Sequence, residues 1–178
     1  MPDFLVLSKT LGGGIPVSAV ITTPEIEERC FERGFIHVTS HVSDPLPAAA
    51  AGAVLDVVLS ADLPGAAKRR GDRLMSALRE LQTRHEAIGD VRGMGLLVGV
   101  ELVEDREMRA PADTLGRALT DECLRCGLSM NLVRGQSAGS ANCLRIAPPL
   151  TVSDDEVELA ITVIDEALMT VTNELAVG

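Results

Sequence analysis

The sequence predicts an α/β chain built in two parts, and three observations lead there. Short apolar runs bounded by Gly and Pro turns alternate with longer stretches in which apolar residues recur every three or four positions. Hydrophobic residues make up 46% and charged residues 24% of the 178 positions, a balance that supports a packed core. The pattern also changes near Asp62, beyond which strands and helices could close a layer of their own.

The elements follow in order. Phe4-Leu5-Val6-Leu7 is an apolar run ending at Ser8-Lys9, and Thr10-Leu11-Gly12-Gly13-Gly14 is a turn signal before a second run, Val17 to Ile21. Thr23 before Pro24 opens a helix that carries Ile26 and Cys30 on one face and ends near Gly34. Ser43-Asp44-Pro45 opens another, with its body from Ala48 to Leu59. A long amphipathic helix from about Asp62 to His85 places Leu74, Leu78 and Leu81 at core spacing.

Arg92-Gly93-Met94-Gly95 leads into a strand, Leu96 to Val103, followed by a helix from about Ala112 to Cys126 and a short strand, Leu128 to Leu132. Gly135 to Asn142, rich in Gly and Ser, is expected to be a flexible loop. The strand Cys143 to Ile146 runs into Ala147-Pro148-Pro149. The last helix begins with a capping box, Ser153-x-x-Glu156, and carries Val157, Ile161, Ile164 and Leu168 on one face. The first two strands need neighbours to make a stable sheet, so residues 1–60 are not expected to be a complete unit, whereas the strands and helices beyond them could form an α/β layer of their own.

Composition narrows the function. Aromatic residues are only 2%, with no Trp and no Tyr, so base or sugar stacking is not expected. A net charge of −10 argues against nucleic acid or an anionic membrane as a partner, and favours a cytoplasmic location. No apolar run reaches membrane-span length, and the start lacks the pattern of a signal peptide. Cys123 and Cys126 have C-x-x-C spacing, but they fall in a helical pattern with no second pair or His cluster. They are expected to be reduced thiols, as are Cys30 and Cys143.

Lys9 and Lys68 are the only lysines among 16 basic residues. Lys68 lies in a basic helical run with Arg69 and Arg70, which reads as a solvated face. Lys9 closes an apolar strand and precedes three glycines. A buried amine loses its charge, and the neutral form attacks aldehydes to make a Schiff base. Glycines there would let the backbone pass close to a planar ligand. On spacing alone, a strand-end lysine that snorkels to water fits equally well.

Leu7-Ser8-Lys9-Thr10-Leu11-Gly12-Gly13-Gly14-Ile15-Pro16 resembles the cofactor-binding segment of class III aminotransferases. His41-Val42-Ser43-Asp44-Pro45-Leu46-Pro47-Ala48-Ala49 is similar to the dialkylglycine decarboxylase branch of that family. Gly89-Asp90-Val91-Arg92-Gly93, Gly127-Leu128-Ser129-Met130-Asn131 and Leu144-Arg145-Ile146-Ala147-Pro148-Pro149 share that resemblance. It implies a fold-type-I transferase dependent on pyridoxal 5′-phosphate (PLP), with the cofactor between a large domain, of which residues 1–60 would be the end, and a small α/β domain, 61–178, in a homodimer or higher homo-oligomer.

By resemblance, Lys9 would bind PLP covalently and then move protons, with Ser8 bracing the cofactor. Ser40 stands where the family has a threonine that reaches the phosphate of the neighbouring subunit. Arg145 would hold a substrate carboxylate in a bidentate fork. Ser40 (hydroxyl), Val42 (carbonyl) and Asp44 (carboxylate) would bind an alkali-metal ion, K+ or Na+. Asp44 could also cap the helix that begins at Pro45. His41 is given no chemistry, and residues 134–142 depart most from the family pattern.

The implied reaction removes CO2 and a ketone from a 2,2-dialkylglycine and passes the amino group to pyruvate, giving alanine. The substrates are thus small amino acids and 2-oxo acids. The alternatives are a class III omega-aminotransferase without decarboxylation and an inactive remnant or dimer-interface module.

Overall fold

The computed structural model describes residues 2–133 and 142–177. The predicted loop at 135–142 therefore lies, but for Asn142, outside the described residues. The chain divides into two compact units, Met1–Asp62 and Leu63–Gly178.

In the N-terminal unit, β1 (Phe4–Ser8) and β2 (Ser18–Thr22) form an antiparallel pair in which Leu5 faces Ile21 and Ser8 faces Ser18. Between them lies a 3-10 turn, Lys9–Gly12. Helices α1 (Pro24–Glu32) and α2 (Pro45–Ser60) follow, both with Pro in the first turn, and neither has a buried residue. The expectation that Lys9 ends a buried strand is corrected. Residues 4–6, Ser8 and Lys9 are exposed, and only Leu7 in β1 is half-buried. A two-stranded sheet has too few neighbours to cover either face.

The glycines after Lys9 serve the chain itself. A Cβ on Gly12 would stand 2.8 Å from Val17 Cγ1, and one on Gly13 2.9 Å from Val54 Cγ2 of α2. Gly13 and Gly14 also have positive φ, 58° and 108°, which glycine adopts without strain. Gly14 alone of the three has open space around it.

The C-terminal unit holds α3 (Leu63–Arg84), β3 (Ile88–Met94), β4 (Leu97–Leu102), α4 (Asp113–Arg125), β5 (Asn131–Val133), β6 (Cys143–Ile146) and α5 (Asp154–Val177). Its sheet is antiparallel throughout, in the order β3-β4-β6-β5. Alternation puts Val98, Val100 and Leu102 of β4 and Leu144 of β6 on one face. There they meet Leu74, Leu78 and Leu81 of α3, Leu119 and Cys123 of α4, and Val157, Ile164 and Leu168 of α5. The sheet thus has one face closed by helices and one open.

β3 was not expected as a strand. A bulge between Ile88 and Asp90 breaks its alternation, so Ile88 and Val91, three apart, both face the core. The predicted strand at Leu128–Leu132 begins later, at Asn131; Leu128 and Met130 pack half-buried on the core instead.

Glycine is required where α3 meets the β3–β4 turn. A Cβ on Gly71 would collide with the backbone carbonyl of Gly95, which itself sits at φ 54°. A Cβ on Gly93 would collide with the carbonyl of Leu97. The Arg-Gly-x-Gly string therefore lets helix and turn backbones touch directly.

Charges tie α3 to α5. Arg70 pairs with Asp154 at 2.6 Å, Arg73 grips Glu158 through two bonds at 2.6 and 2.7 Å, and Arg84 and His85 share Asp165 at 2.9 and 2.6 Å. Partner numbers rise together along both helices, so the two run parallel. Exposed pairs of this kind each contribute little; His85 and Asp165 are the least exposed. The α5 capping box forms as predicted: Ser153 N donates to Glu156 Oε2 at 2.7 Å, and Glu156 N to Ser153 Oγ at 3.2 Å.

Three substitutions test this packing and charge pairing. Gly71→Ala forces backbone apart and is expected to destabilise the C-terminal unit by about 3 kcal/mol or more in urea unfolding. Gly52→Ala in α2, where nothing stands within 4 Å, is expected to be neutral or to stabilise by up to about 1 kcal/mol. Burial raises the Asp165 carboxyl, but the hydrogen bonds and charges of His85 and Arg84 outweigh it and hold the group below its usual range. A depressed carboxylate adds stability above its unfolded value, near pH 4, and that stability is lost as pH falls through the folded value. Asp165→Asn should therefore flatten the decline in stability below about pH 4, and an unchanged acid limb would contradict this.

Candidate active site

The candidate residues fall in three places. Ser8 and Lys9 stand at the junction of β1 and the 3-10 turn, both exposed. Lys9 has φ 56°, a left-handed backbone that a non-glycine residue seldom adopts. That conformation turns the chain out of the strand at the lysine, and the lysine amine makes no hydrogen bond or ion pair with a described residue. An accessible primary amine beside a hydroxyl, with open space at Gly14, fits the aldehyde end of PLP.

Ser40, Val42 and Asp44 lie together in the turn before α2, in the same unit. Val42 N donates to Thr39 O at 3.3 Å, and Ser43 takes φ 62°. Asp44 occupies the N-cap position of α2 but makes no side-chain capping bond. Its Oδ2 instead meets His41 Nδ1 at 2.8 Å, the contact that the sequence did not reveal. The segment offers three hard oxygen donors, fewer than the six or more oxygens a cation such as Ca2+ takes, so an alkali ion would need further ligands.

Arg145 belongs to the C-terminal unit and lies on the open face of the sheet. Register sets it in a cross-strand row: Arg92 opposite Gly99, Gly99 opposite Arg145, Arg145 opposite Asn131. Arg92 is fully engaged. Its Nη1 donates to Asp90 at 2.6 Å and Glu101 at 3.1 Å, and the Asp90 bond raises its already high pKa. Glu101 also holds Arg109 at 3.2 Å. The side chains of Arg145 and Asn131 make no hydrogen bond or ion pair with a described residue. The two residues also border a cavity of about 610 Å3, whose apolar walls, Leu74, Val157 and Ile164, belong to the helix-covered face.

Among the described residues no group of three or more His, Cys, Asp or Glu side chains could hold a metal. All four cysteines are free. Burial, with Cys126 and Glu122 nearby, pushes the Cys123 thiol up to about 11, so it is not a thiolate at neutral pH.

Residues 1–168 match the class-III aminotransferase family. The chain belongs to the class-III aminotransferases. An uncharacterised aminotransferase of Schizosaccharomyces pombe is 44% identical over 176 residues, covering 99% of this chain and 39% of its own. A leucine/methionine racemase of Thermococcus litoralis is 33% identical over 167 residues, covering 94% and 36%.

Among solved structures, an amine transaminase from an uncultivated Pseudomonas species, in its PLP-bound form, superposes with TM-score 0.84 at 31% identity. The match covers 95% of this chain and 38% of that one. A phospholyase from Arthrobacter in complex with phosphoethanolamine gives 0.86 at 27%, covering 95% and 39%. The fold is thus that of a fold-type-I transferase, and the family is PLP-dependent. The chain spans between 34% and 39% of the length of the curated relatives it matches.

If Lys9 is the cofactor-binding amine, borohydride reduction after adding PLP fixes the label on Lys9. Lys68, whose amine is paired with Asp72 at 2.6 Å, stays unlabelled in peptide mapping. Equal labelling of the two lysines, or labelling unchanged in Lys9→Ala, would sink the assignment.

Proposed function

We propose that this chain supplies the lysine segment and the substrate-holding domain of a PLP-dependent enzyme that decarboxylates 2,2-dialkylglycines and transfers the amino group to pyruvate. In that proposal residues 1–60 end the PLP-binding domain and 61–178 form the small domain. The observation that carries it is one uncommitted group in each unit, whose chemistries suit two different parts of such a reaction. Lys9 presents a free amine for an aldehyde, and Arg145 presents a free fork for a carboxylate.

Bound at Lys9, PLP would supply an electron sink for the bond broken at the substrate carbon. Lys9, once displaced by the substrate amine, would take up or deliver the proton at that carbon and at the cofactor's aldehyde carbon. Ser8 would hold its hydroxyl against the cofactor, and Ser40 would offer its own to a phosphate. Arg145 would fix the carboxylate of pyruvate and so the orientation of the acceptor carbonyl. Ser40, Val42 and Asp44 would contribute oxygens to a K+ or Na+ ion, with His41 steadying the Asp44 carboxylate.

The decarboxylase assignment is supported by the His41–Ala49 string. The second assignment, an omega-aminotransferase without decarboxylation, is favoured by the transaminases among the structural relatives. The exposed apolar side chains of the N-terminal unit, Val6, Val38 and Leu59 among them, support a homodimer or higher homo-oligomer, and the acidic composition supports a cytoplasmic enzyme.

The two assignments separate in one assay of the PLP-loaded protein with carboxyl-labelled 2-aminoisobutyrate and pyruvate. Labelled CO2 released in step with alanine supports decarboxylation. Alanine formed from other amino donors, with no labelled CO2 from this one, assigns the transaminase.

A further inference from the structure

We propose that Asn131 is a second contact to the carboxylate that Arg145 holds, so that both side chains together fix an amino or 2-oxo acid. This rests on the carboxylate-holding role of Arg145 proposed above.

Four features of the C-terminal unit carry it. Asn131 and Arg145 are directly opposite in the β5–β6 ladder, so their side chains leave the same face of the sheet, with Cβ atoms about 5 Å apart. Both are exposed on the face of the sheet that the helices leave open. Neither side chain makes a hydrogen bond or ion pair with a described residue. And the row is asymmetric: beyond Gly99, which adds no side chain, Arg92 is held by Asp90 and Glu101.

The choice of amide over acid is what gives the pair its use. Asp90 and Glu101 show what acidic neighbours do on this face: they occupy the arginine beside them. An aspartate at position 131 would occupy Arg145 in the same way and compete with an incoming carboxylate. A neutral amide leaves the guanidinium available and can itself donate. A carboxylate offers about four lone-pair sites; the arginine fork fills two, and the Asn131 amide N–H can fill a third. The carbonyl of a 2-oxo acid, fixed at its carboxylate from two directions, can then present only one face.

The test uses the whole chain, labelled with nitrogen-15 and titrated with pyruvate. The side-chain amide of Asn131, distinguished from those of Asn142 and Asn173 by its loss in Asn131→Asp, should shift together with the Arg145 Nε–H along one binding curve. Asn131→Ala should weaken pyruvate binding about tenfold, as loss of a hydrogen bond to a charged group does. Asn131→Asp should weaken it further, and Asn131→Gln should recover part. Acetone, a ketone without the carboxylate, should move neither signal. Unchanged core signals from Leu132 and Leu144 show that the variants stay folded.

If Arg145 shifts while the Asn131 amide does not, and Asn131→Ala binds within twofold of the parent, the role of Asn131 is overturned and that of Arg145 stands. If Arg145→Ala binds pyruvate as the parent does, both fall.

Discussion

Backbone touching backbone at Gly71 and Gly95 is the constraint on which the C-terminal unit depends. With no side chain between them, α3 lies directly on the β3–β4 turn. That contact sets the height of the helix over the sheet, and with it the depth at which Leu74, Leu78 and Leu81 reach Val98, Val100 and Leu102. Closing one face in this way leaves the other to water. Everything charged on the strands therefore gathers on that open face, and chemistry becomes possible there.

Charge balance then distinguishes the arginines. Asp90 and Glu101 satisfy Arg92, and Glu101 reaches Arg109 as well. Within this cluster two acids meet two bases, and among the described residues no acid pairs with Arg145. An exposed arginine opposite an asparagine suits an anionic group. The N-terminal unit, taken by itself, presents a different group. Its lysine is exposed and is turned out of a strand by a left-handed backbone.

Periodic features were legible in the sequence. The spacing of the α3 leucines, the alternation along β4 and the Ser153–Glu156 capping box each follow from a few neighbouring residues, and the structure places them as expected. β3 was not legible, because its bulge puts Ile88 and Val91 on one face and hides the alternation. Asp44 looked like a helix cap from its position, yet its carboxylate turns to His41. Burial of Lys9 was inferred from the apolar run before it, but burial depends on neighbours that two strands cannot supply. Asn131 could not have been singled out: its place beside Arg145 is a matter of register between strands separated by loop residues, and composition carries no trace of it.

The claim that one arginine of the open face is committed and another is available can be measured directly by arginine-selective modification. Treating the chain briefly with phenylglyoxal and mapping the products by mass spectrometry compares Arg92 with Arg145 in one sample. The account predicts that Arg145 reacts first and that pyruvate protects it, while Arg92, tied to two carboxylates, reacts slowly with or without pyruvate. Equal rates at the two positions, or protection at Arg92 rather than Arg145, would contradict it.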